Sequence, residues 1–301
     1  MATYKTYDTI GIREDLQDAI YDISPTTTPF MSTVGRTKAK NTYHEWQTDS
    51  LADVNLANAQ VEGADAVSAT LTPTTRVGNY TQISDKVIQV STTDDVVDKA
   101  GRSTETAYQL SKASAEIKRD MESIILSDQE KNAGNNATGF PVTSEARLLG
   151  GLASWIKTNT VDTAGGALTE DMLKEAVLKA YNSGGEPDVL LVSPANKQVV
   201  STFAGIAEQR YQAPKSSPTT IIGAADVYLS DFGSVSVVPD RFLSDDFSYV
   251  LDPSMASVAY LRPFKSQKLA KMGDSEKHLL NVEYTLVVNN EAAHAMMSDE
   301  T

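Results

Sequence analysis

Asn41-Thr42-Tyr43-His44-Glu45-Trp46-Gln47-Thr48-Asp49-Ser50 opens the stretch that decides the fold. It runs on through LADVNLANAQVEGADAVSATL, Leu51 to Leu71, and closes on Arg76-Val77-Gly78-Asn79-Tyr80. Both ends read as strands. Tyr43, Glu45 and Gln47 alternate with His44, Trp46 and Thr48, and the return limb is rich in strand formers. The middle piece holds six alanines, no aromatic side chain and no Lys or Arg. Such a segment buries too little apolar area to offset its own ordering entropy. Loops beyond about 12–15 residues are uncommon in compact domains and are functional or disordered when they occur. Two readings stand: an ordinary hairpin with a loose tip, or a projecting two-stranded arm that lies on a neighbouring subunit. An isolated two-stranded hairpin is marginal in water, so the second reading requires a partner.

Composition narrows the function classes. The chain has 301 residues, 41% of them hydrophobic, enough for one large domain or two modest ones. A net charge of −14 opposes a nucleic-acid-binding surface, which needs clustered Lys and Arg. It suits a container wall that must not grip its contents. There is no cysteine, which removes disulfides, thiol nucleophiles and cysteine metal sites together. The N-terminus has no apolar h-region, and no apolar run approaches the ~20 residues that span a bilayer. The expectation is a cytoplasmically made protein with no membrane partner.

Outward from the loop, Thr9 to Asp22 carries Ile12, Leu16, Ala19 and Ile20 at helical spacing, and Ser24-Pro25 ends it. Ser24 to Phe30 then reads as an extended, proline-stiffened arm, either a disordered tail or a strap across a neighbouring subunit; the strap would work between subunits with Phe30 as its apolar anchor. The strongest periodicity runs from Ser103 to Lys131. There Ala107, Leu110, Ala113 or Ser114, Ile117, Met121 and Ile124 share one face, and Lys112, Glu116, Lys118, Arg119 and Glu122 the other. That predicts a helix of ~27 residues and about 40 Å, a spine. Its apolar stripe needs a platform, and the alternating Leu280, Val282, Tyr284, Leu286 and Val288 supply one. Gly150 to Val250 mixes helices capped at Thr169 and Ser193 with a buried strand at Asp188–Val192 and a hairpin at Val227–Val238.

Catalytic signatures are missing. No phosphate loop, dinucleotide fingerprint, zinc-protease helix or nucleophile elbow occurs. His44, His278 and His294 lack ligand spacing and read as strand or surface histidines. Asp94, Asp95 and Asp98 lack the glycine and terminal Glu of a calcium loop and read as helix-start carboxylates. No catalytic, cofactor or metal residue is assigned. An adhesin-like or virion-surface binding module is the rival reading; it predicts repeats or an all-β sandwich, which the long helix opposes.

The order of parts, with several motifs, is similar to the major capsid proteins of tailed bacteriophages, which have the Hong Kong 97 fold. The motifs are Ser24-Pro25-Thr26-Thr27-Thr28-Pro29-Phe30, Thr42 to Leu51, Asp98-Lys99-Ala100-Gly101-Arg102 and Leu191-Val192-Ser193-Pro194-Ala195-Asn196-Lys197. Asp226 to Gly233, Tyr260-Leu261-Arg262-Pro263-Phe264 and Asn290-Glu291-Ala292-Ala293-His294 complete the set. The resemblance implies an α+β chain: arm at 1–40, extended β-loop at 41–80, peripheral domain with its spine helix at 81–149, α/β axial domain at 150–250, and strands at 251–301 returning to the peripheral domain. It implies hexamers and pentamers enclosing double-stranded DNA without sequence-specific binding, alongside portal and separate scaffolding or decoration proteins.

Charge then suggests who touches whom. Residues 41–80 carry five acidic side chains against one basic, a net of −4, and residues 261–280 carry five basic against two acidic. Candidate inter-subunit contacts are therefore Phe30, Trp46, Asp49, Asp53, Glu62 and Asp65 on the arm and loop. Arg262, Lys265, Lys268 and Lys271 are the candidates on the basic stretch.

Overall fold

Alternation and helical periodicity resolve into two large sheets bridged by one long helix, with a separate two-stranded ribbon. The computed structural model describes residues 24–52, 54–63, 65, 68, 71–135, 145–163, 165–203, 226–271 and 273–298. The helix expected at Thr9–Asp22 lies outside them, as does Asp53.

In chain order, α1 (Pro29–Thr33) leads into β1 (Gly35–Lys38), and β2 (Tyr43–Thr48) and β3 (Thr75–Tyr80) flank the long loop. β4 (Gln82–Ser91), α2 (Thr92–Val96) and α3 (Glu105–Leu126) follow. Then come α4 (Leu152–Trp155), β5 (Thr160–Asp162), α5 (Glu170–Asn182), β6 (Val189–Val192) and α6 (Pro194–Val200). β7 (Val227–Ser230), β8 (Gly233–Pro239), β9 (Phe247–Leu251), β10 (Ala256–Lys268), β11 (Ser275–Val288) and β12 (Ala295–Ser298) complete the chain.

A four-stranded sheet has the order β1-β10-β11-β4, and α3 lies on it. Ile117, Met121 and Ile125 pack with Val282, Tyr284 and Leu286 in one core, so β11 is the expected platform. The helix has 22 residues and stops at Leu126, short of Lys131. The Ser127 hydroxyl donates to the Ile124 carbonyl at 2.8 Å and takes up an acceptor the next turn would have used. Two facings differ from the periodicity. Ala107 is exposed, because the first turn is held by Asp95, which accepts from the Thr106 amide and hydroxyl at 3.0 and 2.6 Å. Glu122, assigned to the solvent face, is wholly buried.

The six-stranded sheet has the order β5-β12-β9-β6-β8-β7. α5 packs on it with Leu173, Ala176, Val177 and Ala180 inward. Thr169 and Ser193 cap as expected, their hydroxyls accepting from the Met172 and Asn196 amides. The stretch 251–301 divides between the sheets: β10 and β11 join the spine helix, but β12 is inserted between β5 and β9. The Ala-Met-Met-Ser run of β12 is short and all buried, so it must lie in a sheet interior, and the open position there is beside β9.

Candidate assembly interface

The ribbon is built from sequence as expected. β2 and β3 pair antiparallel from Tyr43 opposite Tyr80 to Thr48 opposite Thr75, with the tyrosine rings 4.5 Å apart and Arg76 bridging Glu45 at 3.0 Å. Beyond it, no described residue between Asp49 and Thr74 lies in a helix or strand. Leu51, Val54, Leu56, Val61 and Leu71 are 80–97% exposed there, and Asp49, Glu62 and Asp65 are exposed with them. Scattered single apolar side chains on a surface are ordinary, but these five follow one another along a single exposed strip.

The root of the ribbon is rigid. Asn79 is wholly buried and uses its full hydrogen-bonding capacity: Nδ2 donates to the carbonyls of Gly150 and Leu286, and Oδ1 accepts from the amides of Gly150 and Tyr80. Buried Glu283 accepts from Thr81, Arg147 and Arg262 at 2.7–2.8 Å. Lys131 donates to the Gly78 carbonyl at 2.9 Å and sits 4.9 Å over the Trp155 ring. Gly78 is required by close approach, since a Cβ there would lie 2.7 Å from the His44 carbonyl oxygen. The ribbon therefore leaves the body at a set angle.

Several candidate contacts change role. Phe30 is 1% exposed in the subunit's own core with Met31 and Val34, so it is no anchor on a neighbour. The arm ceases to be extended at Pro29, which opens α1. Trp46 turns inward, 5.4 Å from Trp155 and against Ala39, Ala259 and Val287. On the basic hairpin of β10 and β11, Arg262 is bound to Glu283, Lys268 bridges Glu276 at 2.7 Å and Lys271 bridges Asp274 at 3.7 Å. Lys265 is exposed and forms no ion pair with a described residue. β1 covers β10 only from Ser257 to Tyr260. Beyond that, Pro263 and the register shifts around Arg262 roughen an edge that would otherwise invite unwanted strand pairing.

The histidines are placed differently from one another. His44 and His278 lie in strands, whereas His294 is fully buried ahead of β12 and accepts from the Asp252 amide through Nδ1. Burial pushes the His294 imidazole down to about 4.

A model of the SU10 major capsid protein family matches residues 2–301. The chain belongs to that family. The major capsid protein of Escherichia phage Phieco32 is 29% identical to it over 340 residues, spanning 98% of this chain and 96% of that protein. A chain from Mycobacterium phage Adephagia superposes with a TM-score of 0.63 at 12% identity, covering 100% of this chain and 99% of the other. A chain from the phage G structure of major capsid and decoration proteins gives 0.56 at 11%, covering 100% of both. At those identities the structures establish the fold, which is the Hong Kong 97 type. This major capsid protein is a shell-forming virion component.

Sequence reasoning missed Asn79, Glu283 and Glu122, which hold this capsid protein's ribbon and arm in place. One local signal was present: Glu122 sits between Met121 and Ile125, inside the apolar stripe.

Proposed function

We propose that the chain is the repeating subunit of an icosahedral or prolate head, in hexamers and pentamers around packaged double-stranded DNA, with its extended loop lying on the basic hairpin of an adjacent copy. The observation that carries this reading is the loop itself: five large apolar side chains with no cover from their own subunit, on a ribbon fixed rigidly at its root. Charge complementarity supports the target, since Asp49, Glu62 and Asp65 face outward and Lys265 is exposed without an ion-pair partner among the described residues. Asp53 belongs to the same acidic loop in sequence. The acidic surface suits a wall around DNA that does not read its sequence. Portal and separate scaffolding or decoration proteins are the further partners, assembly takes place in the host cytoplasm, and no catalytic role is assigned.

The test is charge reversal. Lys265→Glu with Lys268→Glu should leave the thermal melt of the unassembled subunit near wild type and reduce shells seen by sedimentation and negative-stain microscopy. Adding Glu62→Lys and Asp65→Lys should restore them. Wild-type shell yield from the double reversal would remove this hairpin as the docking partner.

A further inference from the structure

Two acidic side chains face one another deep inside this molecule. Glu122 of α3 and Asp240, which follows β8, are both 0% exposed, and their carboxyl groups lie against one another. Each is otherwise tied to its own surroundings. Glu122 Oε1 accepts from the Phe30 amide at 2.5 Å and Oε2 from the Met31 amide at 3.0 Å. Asp240 Oδ1 accepts from the Phe242 amide at 2.8 Å, while the Asp240 amide donates to the Val192 carbonyl of β6 at 2.8 Å. Asp240 Oδ2 receives no N–H or hydroxyl from a described residue. A carboxyl proton on Glu122 can satisfy it.

We propose that this carboxyl pair is a proton-gated joint, in which one shared proton ties the body of spine helix and four-stranded sheet to the loop that follows β8 of the six-stranded sheet, beside the apolar core the two bodies already share. Glu122 belongs to the first body through α1 and α3, and Asp240 to the second through β6 and β8. With the proton present, Glu122 donates to Asp240 Oδ2 and both bodies are joined. Without it, two buried carboxylates sit in contact with no ion-pair partner among the described residues, and the repulsion falls between the bodies. Glu122 keeps its amide donors, which bind the anion better than the acid. The part that separates is therefore the loop from Asp240 to Asp246.

The surroundings offer no substitute charge. α1 carries no titratable side chain, and neither carboxyl forms an ion pair with a described Lys or Arg. From β10, Tyr260 faces Glu122, with Arg36 of β1 close enough to act on the tyrosine; from the loop, Arg241 follows Asp240 and is exposed. Burial, then the neighbouring Asp240, pushes the Glu122 carboxyl up to about 8. The joint thus operates at the upper edge of the physiological range. A cavity of about 650 Å³ between the end of α3 and this loop, lined by Ser123, Asp128, Arg241 and Ser244 among others, gives the loop room to move.

Because the chain has no cysteine, Ser123→Cys with Ser244→Cys places two spin labels across that cavity. In the full-length subunit the label distance should be single at pH 6. A longer population should grow as the pH rises through about 8. Glu122→Gln donates to Asp240 without titrating but gives up one of the two backbone amides that Glu122 accepts, and Asp240→Asn donates to an ionised Glu122, so in either the distance should not change with pH. An unchanged wild-type distance from pH 6 to 9, or equal lengthening in both variants, overturns the joint. If the labelled chain does not fold, thermal melts of unlabelled protein decide it. The fall in Tm from pH 5 to 9 should be larger in wild type than in either variant, and equal falls overturn the proposal.

Discussion

Buried polar groups explain more of this molecule than its many surface charges do. Asn79→Ala would strand two amides and two carbonyls that the wild-type side chain satisfies. The expected loss is about 2–3 kcal/mol in a denaturant titration. Gly151 is fixed just as firmly, since a Cβ there would meet the Ser127 carbonyl oxygen at 2.2 Å. His294 gives a pH signature. Its folded pKa, about 4, lies below the ordinary 6.5, so between those values the unfolded chain binds more protons. Stability from this residue is therefore complete above pH 6.5 and lost as the pH falls toward 4. Glu122 runs oppositely: its folded value is raised above 4.5, so its contribution is complete below that and lost as the pH rises through about 8. Thermal melts across pH should show His294→Asn flattening the acid limb while leaving the alkaline limb in place.

At the scale of elements, the spine helix and the loop behave as opposites. The helix is held by tertiary packing, so Ile117→Ala, at a site 1% exposed, should cost about 2–5 kcal/mol. Lys112→Ala on the exposed face should stay within about half a kcal/mol. A melt in which Lys112→Ala is the more damaging change would overturn the facing. Every described residue from Leu51 to Leu71 is exposed on its own subunit. Replacing residues 51–71 with a short Gly-Ser turn should leave Tm nearly unchanged, or raise it slightly through reduced loop entropy, while shells fail to form in sedimentation. A large loss of Tm would mean the loop packs on its own subunit. The amphipathic stripe of α3 and the alternation of β11 were legible because each is a local period. The last turn of α3 was not, because a single serine hydroxyl ends it.

For the whole molecule, the two sheets meet where three distant parts of the chain converge: α1, the middle of α3 and the loop after β8. That junction makes the N-terminal arm part of the subunit's core, so removing residues before Thr33 should destabilise the isolated subunit as well as the shell. The sequence by itself determined the face of β11 and that of α3 save Ala107 and Glu122, the caps at Thr169 and Ser193, the exposed acidic loop and the absence of catalytic motifs. These depend on local periodicity, local donors and composition. Tertiary structure alone decided that Glu122 is buried, that Trp46 and Phe30 turn inward, and that β12 joins the far sheet. Each of those depends on a partner far away in the chain: the Phe30 amide lies 92 residues from Glu122. A period names the face a residue occupies; only the folded chain supplies what that face meets.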